Sequence, residues 1–290
     1  MKSLRLSLLS FFCLLSVTNT IFAQKQTPTL GIASSLSQDS LVYAAGFKVI
    51  TESVKKMLSP ALSDEEFKEN LKKIKAAKCK VLTCNVFFPA DIKIAGPNVD
   101  EAKVLAYAEG VLSRAKQAGV KYIVLGSSGA RSIPADYDVN KAKSDFVKLC
   151  KKLGEIAGKH QVLVVLENLQ SSETNFLNTL KSAAEIVRGV NHPNFKLNAD
   201  IFHMMREGEL PKEIIAAGDV IAFVEVAEKE TRSLPGVKGD DFKPYLTALK
   251  QINYKGYLFI EGSVKNASVE IPAAFKYLSA QINEVYLSKK

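Results

Sequence analysis

The sequence predicts an α/β fold, a (β/α)8 TIM barrel, and three features of its 290 residues lead to that prediction. Eight strand-like apolar runs alternate with amphipathic helical segments along the chain. The runs are nearly continuous in apolar residues, which is typical of parallel strands that are covered on both faces. Eight such units in a chain of this length favour a closed barrel over an open sheet.

The individual elements follow from local patterns. The helices are predicted from amphipathic patterns such as 64–77 and 100–118. The first of these begins directly after Ser63 and has Glu66 in its first turn, which is a capping-box pattern. No glycine-rich dinucleotide fingerprint follows the first strand, which counts against a Rossmann fold. The strands are predicted near residues 29–34, 47–53, 80–85, 122–127, 162–168, 195–200, 221–227 and 257–262.

Residues 1–23 are predicted to be a secretory signal peptide and not part of the fold. Two basic residues and an apolar stretch, Leu6 to Val17, precede the small residue Ala23, where we expect cleavage. The stretch is too short to predict a membrane span. We therefore expect residues 24–290 to form one exported barrel domain without a membrane anchor, periplasmic in a bacterium with two membranes.

Charge and cysteine content exclude some classes of protein. The formal net charge of +9 comes from lysines spread over predicted helices, which is the pattern of a solvated helix face. No basic run is interleaved with aromatic residues, so nucleic-acid binding is not predicted. Beyond the predicted signal peptide, which contains Cys13, the chain has three cysteines: Cys79, Cys84 and Cys150. An odd number is a poor basis for disulfides, and we expect these three to be free buried thiols. The sequence leaves self-association into a homo-oligomer open.

Four of the predicted strands end on a carboxylate, a feature that a buried strand does not need. The charge is costly to remove from water unless something pairs with it. In a barrel of parallel strands the carboxyl ends converge on one face, where active sites lie. One shared divalent cation would pair with all four acids; the alternative is four separate solvated acids at loop starts. The four are Glu167, Asp200, Glu225 and Glu261.

The chemistry of these ligands favours particular ions. Oxygen-only donors suit a hard divalent cation such as Mn²⁺ or Mg²⁺, with Zn²⁺ or Co²⁺ as alternatives. Polar residues in the loops beyond the strands are candidates for substrate binding, and a structural hydrogen bond or a surface ion pair is the alternative for each. His203, three residues after Asp200, is placed to touch either a metal or a substrate. The candidates are His203, Arg232, Asn85, Arg131, Glu173 and Asn175.

The motifs resemble those of the sugar phosphate isomerase/epimerase superfamily, whose barrel is xylose isomerase-like. Their order and spacing are similar to those of ketose 3-epimerases, hydroxypyruvate isomerases and inosose-processing enzymes. The likeness covers nearly all of the chain after the N-terminal segment, and it does not specify a substrate. It rests on Leu166-Glu167-Asn168, Asn198-Ala-Asp200-Ile-Phe-His203, Arg232-Ser-Leu-Pro235-Gly236 and Gly256-Tyr-Leu-Phe-Ile-Glu261.

The resemblance implies a metal ion held by a glutamate, an aspartate, a histidine and a second glutamate. This chain has Glu225 where the family usually has the histidine. A glutamate still ligates Mn²⁺ or Mg²⁺, but its negative charge is expected to weaken the Lewis acidity of the metal. His203 and Arg232 match substrate-contacting positions. The residues that match the metal ligands are Glu167, Asp200, Glu225 and Glu261.

The resemblance also implies the reaction, which is isomerisation or epimerisation of a keto sugar, an inosose or a related polyol. One of Glu167 and Glu261 would remove the proton next to a metal-polarised carbonyl, and the other would return a proton through an enediolate. Two alternatives stay open. The same proton abstraction on a keto-glycoside would expel a leaving group, as in a lyase or hydrolase. The substitution at Glu225 also fits a sugar-binding barrel without catalysis.

Overall fold

A computed structural model describes residues 27–288 and shows eight parallel strands in a closed barrel. Each strand pairs with its neighbour in sequence, and the last strand pairs with the first. The predicted fold class is confirmed, and every predicted strand is present with its ends within two residues of the prediction. The strands are β1 (Thr29–Ala33), β2 (Val49–Ser53), β3 (Lys80–Asn85), β4 (Tyr122–Leu125), β5 (Leu163–Glu167), β6 (Phe195–Asp200), β7 (Ile221–Val226) and β8 (Tyr257–Ile260).

Helices surround the barrel, and the one that starts at Asp64 begins where its capping residues predict. The capping box is present, because the Ser63 side chain accepts from the amide of Glu66 while the Glu66 carboxylate accepts from the amide of Ser63. The helices are α1 (Asp39–Ala44), α2 (Val54–Met57), α3 (Asp64–Ala76), α4 (Glu101–Ala118), α5 (Ser128–Arg131), α6 (Val139–His160), α7 (Leu180–Val190), α8 (Ile201–Arg206), α9 (Lys212–Ala216), α10 (Lys243–Gln251) and α11 (Ala267–Leu287).

Two apolar layers hold the barrel together. The larger fills the space between the strands and the helices, and the smaller fills the inside of the barrel. Phe223 and Phe259 pack inside with their ring centroids 5.0 Å apart. Gly31 makes room for them, because a Cβ at this position would overlap the ring of Phe259. With the interior packed, a ligand is expected at the carboxyl end of the barrel.

An irregularity between β6 and β7 decides which side chains face each other at that end. Leu197 pairs with Ile221, whereas the next residue of β6 pairs with Phe223, so β7 carries one extra residue at this point. A bulge of this kind re-aims the side chains that follow it. As a result Asp200 pairs with Glu225, and both acids reach the carboxyl end of the barrel together.

Some predictions concern residues outside the range 27–288. The predicted signal peptide at 1–23 lies outside the described residues, so it and the domain boundary at residue 24 stay predictions. Between residues 27 and 288, no helix is both long enough and apolar enough to cross a bilayer. Cys79, Cys84 and Cys150 are buried and free, as predicted.

Candidate active site

The four strand-end carboxylates come together at the carboxyl end of the barrel. Glu167 and Asp200 are the last residues of β5 and β6, Glu225 is the penultimate residue of β7, and Glu261 directly follows β8. Each acid contributes one carboxylate oxygen to a group of four oxygens that all lie within 4.8 Å of one another. The first three are buried, and Glu261 is partly exposed. The cluster therefore has one accessible side.

A cavity of about 170 Å³ lies on that side of the cluster. Both Glu167 and Glu261 line it, together with the backbone segment that follows β4. Its polar lining also includes Asn85, Glu173 and Arg232, three of the residues that the sequence predicted for substrate binding. A larger cavity of about 770 Å³ lies along α3 on the outside of the barrel, where none of the four acids contributes to its lining.

Arg232 joins two acids at the cavity. One guanidinium nitrogen donates to Glu261 Oε2 at 2.6 Å, and another donates to Glu173 Oε1 at 3.0 Å. Its guanidinium carbon lies 4.8 Å from the ring centroid of Phe202. Asn85 donates to the other oxygen of Glu261 at 2.5 Å. Both oxygens of Glu261 are therefore held, which fixes the orientation of this carboxylate.

Glu167 has a different environment. The pKa of Glu167 is raised to about 7, chiefly by burial; a hydrogen bond with His203 opposes the rise and the charge of Glu261 adds to it. A carboxyl group that titrates near neutral pH can both accept and donate a proton under physiological conditions. Gly126 leaves room for the Glu167 carboxylate, because a Cβ at position 126 would overlap Glu167 Oε2.

His203 is fully buried at the start of α8 and faces the acids. Asp200 caps this helix, with Oδ1 accepting the His203 amide at 3.0 Å. The Gln170 amide donates to His203 Nδ1 at 3.2 Å. A neutral imidazole that accepts at Nδ1 carries its proton on Nε2, and this nitrogen lies 3.5 Å from Glu167 Oε1. The Nε2 proton therefore points towards Glu167. His203, Glu167 and Asp200 also each offer one ligand atom within 4.8 Å of the others, a second group that could hold a metal ion.

Glu225 supplies the clearest indication that the cluster of acids is suited to bind a cation. Its Oε2 accepts from Asn198 Nδ2, whereas Oε1 has no hydrogen-bond partner among the described residues. Burial raises the pKa of Glu225 well above its usual range, and the charges of Glu261, Glu167 and Asp200 raise it further. A buried carboxylate among three others is unstable without a cation or a proton. Four oxygen donors at one point fit a hard divalent cation.

Comparison with known proteins agrees with this geometry. A profile of the family described as xylose isomerase-like TIM barrel matches residues 40–281. The chain belongs to the xylose isomerase-like TIM barrel family. The resemblance seen in the sequence motifs is thereby confirmed.

Individual relatives in this family are epimerases and isomerases. The chain is 33% identical to an L-ribulose 3-epimerase of Methylomonas sp. (strain DH-1) over 144 residues, which are 49% of this chain and 48% of the relative. It is 29% identical to a putative hydroxypyruvate isomerase of Mus musculus over 130 residues, 43% of this chain and 47% of the relative. The chain thus spans about half the length of the curated relatives it matches.

A solved structure extends the likeness over almost the whole fold. The 3-keto-D-glucoside 4-epimerase of E. coli superposes with a TM-score of 0.72, covering 88% of this chain and 98% of the other. The two sequences are 19% identical, so this match shows the shared xylose isomerase-like barrel and no more.

Three residues that the sequence predicted for substrate binding are not among those that line the cavity: His203, Arg131 and Asn175. Arg131 is fully buried, and its guanidinium donates to the main-chain carbonyl of Glu167 at 2.7 Å. Asn175 is exposed and bonds through both amide atoms to the main chain of Ile133. These contacts support the strand end and join two loops. Neither side chain lines this cavity, and a role for them in substrate binding stays a prediction.

Sequence reasoning assigned no role to Glu228, yet this residue organises the loop that carries Arg232. It is fully buried, and its carboxylate accepts from the Ser233 hydroxyl at 2.9 Å and from the amides of Gly236 and Gly239, each at 2.8 Å. An acid followed by a loop with two glycines was the available signal, because glycine leaves amides open to a carboxylate.

Asn198 was also missed as a functional residue. It is fully buried in β6 and donates to Glu225. The available signal was an amide in the middle of an otherwise apolar strand, since a buried polar group needs a partner.

Proposed function

We propose that this protein is a metal-dependent isomerase or epimerase that acts on a keto sugar, an inosose or a related polyol. The observation that carries the proposal is that Glu167 and Glu261 line one cavity as members of a four-carboxylate cluster. Proton transfer next to a carbonyl needs two such groups and an electrophile beside them. The L-ribulose 3-epimerase and hydroxypyruvate isomerase relatives support the same reaction class.

The metal ligands in this proposal are Glu167, Asp200, Glu225 and Glu261. A divalent cation bound there would polarise the substrate carbonyl and hold two neighbouring oxygens. The all-oxygen donor set favours Mn²⁺ or Mg²⁺, with Zn²⁺ or Co²⁺ as alternatives.

Glu167 and Glu261 are proposed as the acid and base. One removes the proton from the carbon next to the carbonyl, which gives an enediolate. The other returns a proton, either to the opposite face of the same carbon, which is epimerisation, or to the adjacent carbon, which is isomerisation. The pKa of Glu167, raised by burial to about 7, suits proton exchange near neutral pH.

Arg232, Asn85, Glu173 and His203 would hold the substrate. The guanidinium of Arg232 carries donors that can move from Glu173 to a sugar oxygen while the bond to Glu261 persists. His203 is fully buried with Nε2 3.5 Å from Glu167 Oε1, so in this proposal it donates to a substrate oxygen that binds directly beside Glu167.

The location proposed for this reaction is outside the cytoplasm, on the basis of the predicted signal peptide at residues 1–23. Phosphorylated sugars are mainly cytoplasmic, so a neutral sugar, an inositol derivative or a keto-glycoside is the better substrate for an exported enzyme.

A second candidate function is lyase or hydrolase activity on a keto-glycoside. The E. coli protein that shares this barrel is a 3-keto-D-glucoside 4-epimerase, and this is the reason for including keto-glycosides among the substrates to be tested. Removal of the proton next to the keto group would then expel the glycosidic group from the neighbouring carbon. A sugar-binding barrel without catalysis is the third outcome that the test below can return.

Deuterium uptake from D2O tests the proposal. Free ketoses, inososes and 3-keto-glycosides are incubated with the protein in Mn²⁺ and again in EDTA, and mass spectrometry detects carbon-bound deuterium. We expect uptake in Mn²⁺ alone, and loss of an aglycone together with uptake would identify the lyase.

The matched variants for this test are E261Q and, as a control, E185Q. Removal of a general acid or base is expected to reduce uptake about 10²–10⁴-fold in E261Q. Glu185 is exposed and remote from the cluster, so E185Q should behave as the wild type. No uptake by folded protein that has bound Mn²⁺ would contradict catalysis and favour the binding barrel.

A further inference from the structure

Asn198 and Glu225 form a buried hydrogen-bonded pair that the proposed chemistry does not require. Asn198 is fully buried, and Glu225 is 1% exposed. The carboxamide of Asn198 can donate only through Nδ2, and this atom donates to Glu225 Oε2. The contact therefore distinguishes the two oxygens of Glu225, because one is bound to protein and the other is not.

The free oxygen belongs to the carboxylate cluster. Glu225 Oε1 has no hydrogen-bond partner over the described residues, and one oxygen of Glu225 lies within 4.8 Å of an oxygen from each of Glu167, Asp200 and Glu261. The strand irregularity places Glu225 opposite Asp200. A bulge and a buried amide thus both act on the orientation of this one carboxylate.

Arg232 does not neutralise Glu225. Its guanidinium forms ion pairs with Glu173 and Glu261. A hydrogen bond from a neutral amide offsets part of the desolvation of Glu225 but supplies no positive charge. The pair is therefore suited to hold a carboxylate for a cation, because the unbound Oε1 belongs to a cluster of four acids whose charges need a counterion.

We propose that Asn198 is a positioning residue that holds Glu225 as a single-oxygen ligand, and that this pair sets the metal preference of the site. Glu225 supplies a hard oxygen where related proteins usually have an imidazole nitrogen, so the site favours Mn²⁺ relative to Zn²⁺. The inference rests on the metal site in the proposed function and adds to it the residue that determines ion selectivity.

Two substitutions separate orientation from ligand type. N198L removes the donor and keeps a side chain of similar size, so Glu225 can rotate away from the cluster. Residues that orient a metal ligand typically change metal affinity by about 10–100-fold when they are removed. E225H exchanges oxygen for nitrogen and should raise the affinity for Zn²⁺ relative to Mn²⁺, since imidazole suits zinc.

The controls come from buried polar residues that make no hydrogen bond to any of the four acids. Thr83 is fully buried in β3, and its hydroxyl has no partner in the part of the chain that the structure covers, so T83V tests a polar-to-apolar change inside a strand. Asn70 is buried and donates to the main chain of Lys56, so N70L tests the loss of a buried amide elsewhere.

The experiment is calorimetric titration of metal-stripped protein with Mn²⁺ and with Zn²⁺, without any sugar. We expect N198L to weaken Mn²⁺ binding about 10–100-fold, E225H to raise the Zn²⁺-to-Mn²⁺ affinity ratio by about tenfold or more, and T83V and N70L to match the wild type. Should N198L not fold, N198S removes the same donor with a smaller change in hydrophobicity.

The outcomes separate this inference from the proposed function. Wild-type Mn²⁺ affinity in folded N198L or N198S, or an unchanged ion ratio in E225H, overturns the inference and leaves the function standing. A wild-type protein that binds neither ion overturns both. Metal-dependent deuterium uptake is measured separately, so its failure would count against the function and not against the assignment of Asn198.

Discussion

Glu167 and Glu261 are two carboxylates of one cavity with opposite surroundings. Glu167 is buried, and burial raises its pKa to about 7. Glu261 is partly exposed, and Asn85 and Arg232 hold its two oxygens. Environments that differ in this way are how a pair of acids is divided into a proton donor and a proton acceptor. The surrounding residues therefore determine the pKa of Glu167 and the orientation of the Glu261 carboxylate.

Substitution of Gly126 tests how precisely the Glu167 carboxylate must be positioned. In G126A the new methyl group would overlap Glu167 Oε2 and displace the carboxylate. A displacement of about 1 Å can reduce a rate about 10²-fold, so we expect a loss of that order in deuterium exchange. The matched control is G158A, where the nearest atom to the new methyl group lies 3.4 Å away. Equal exchange rates in G126A and G158A would contradict this placement.

The pKa of Glu167 predicts how the stability of the metal-free protein depends on pH. Burial raises this pKa from 4.5 to about 7, so between these values the folded chain holds a proton that the unfolded chain releases. The free energy of unfolding in EDTA should therefore fall as the pH rises from about 4.5 to about 7. Thermal melts at stepped pH measure the slope, and E167Q should flatten it. The same slope in both proteins would show that another group is responsible.

At the scale of elements, the loop between β7 and α10 is built around one buried carboxylate. Glu228 accepts from Ser233, Gly236 and Gly239, and the Arg232 amide donates to the Glu228 carbonyl at 2.9 Å. Arg232 adopts a positive φ of 48°, a left-handed conformation that a non-glycine residue needs support to keep. The loop thus fixes the residue that contacts Glu261.

Replacing Glu228 should loosen this loop. In E228Q one carboxylate oxygen becomes an NH2 group that faces backbone donors, and each unsatisfied donor costs about 1–3 kcal/mol. We expect a destabilisation of at least that order and faster amide exchange over residues 233–240, measured by hydrogen–deuterium exchange. Exchange in α3, which makes no contact with this carboxylate, serves as the internal reference. Unchanged protection of 233–240 would mean that other contacts hold the loop.

The elements also show what local sequence can predict. Continuous apolar runs located all eight strands, and Ser63 with Glu66 located the start of α3, because these signals lie within a few residues. The extra residue of β7 opposite Leu197 and Asn198 was not predicted. It depends on the register between two strands, which no short pattern contains.

At the scale of the whole molecule, barrel closure brings residues that are far apart in sequence to one place. Glu167 and Glu261 are separated by 94 positions and line one cavity. This part of the site was predictable, because parallel strands in a barrel must end on one face. The roles of Arg131 and Asn175 were not predictable, because loop side chains bind whatever main chain the folded barrel brings near them.

One cation shared by Glu167, Asp200, Glu225 and Glu261 underlies the proposed reaction. The most direct measurement is a crystal of the protein soaked in Mn²⁺, with anomalous difference density recorded at the manganese edge. We expect one peak bonded to an oxygen of each of these four acids, with His203 Nε2 outside bonding distance. Absence of a peak among the four acids, or a peak bound by His203 without Glu225, would contradict the shared site.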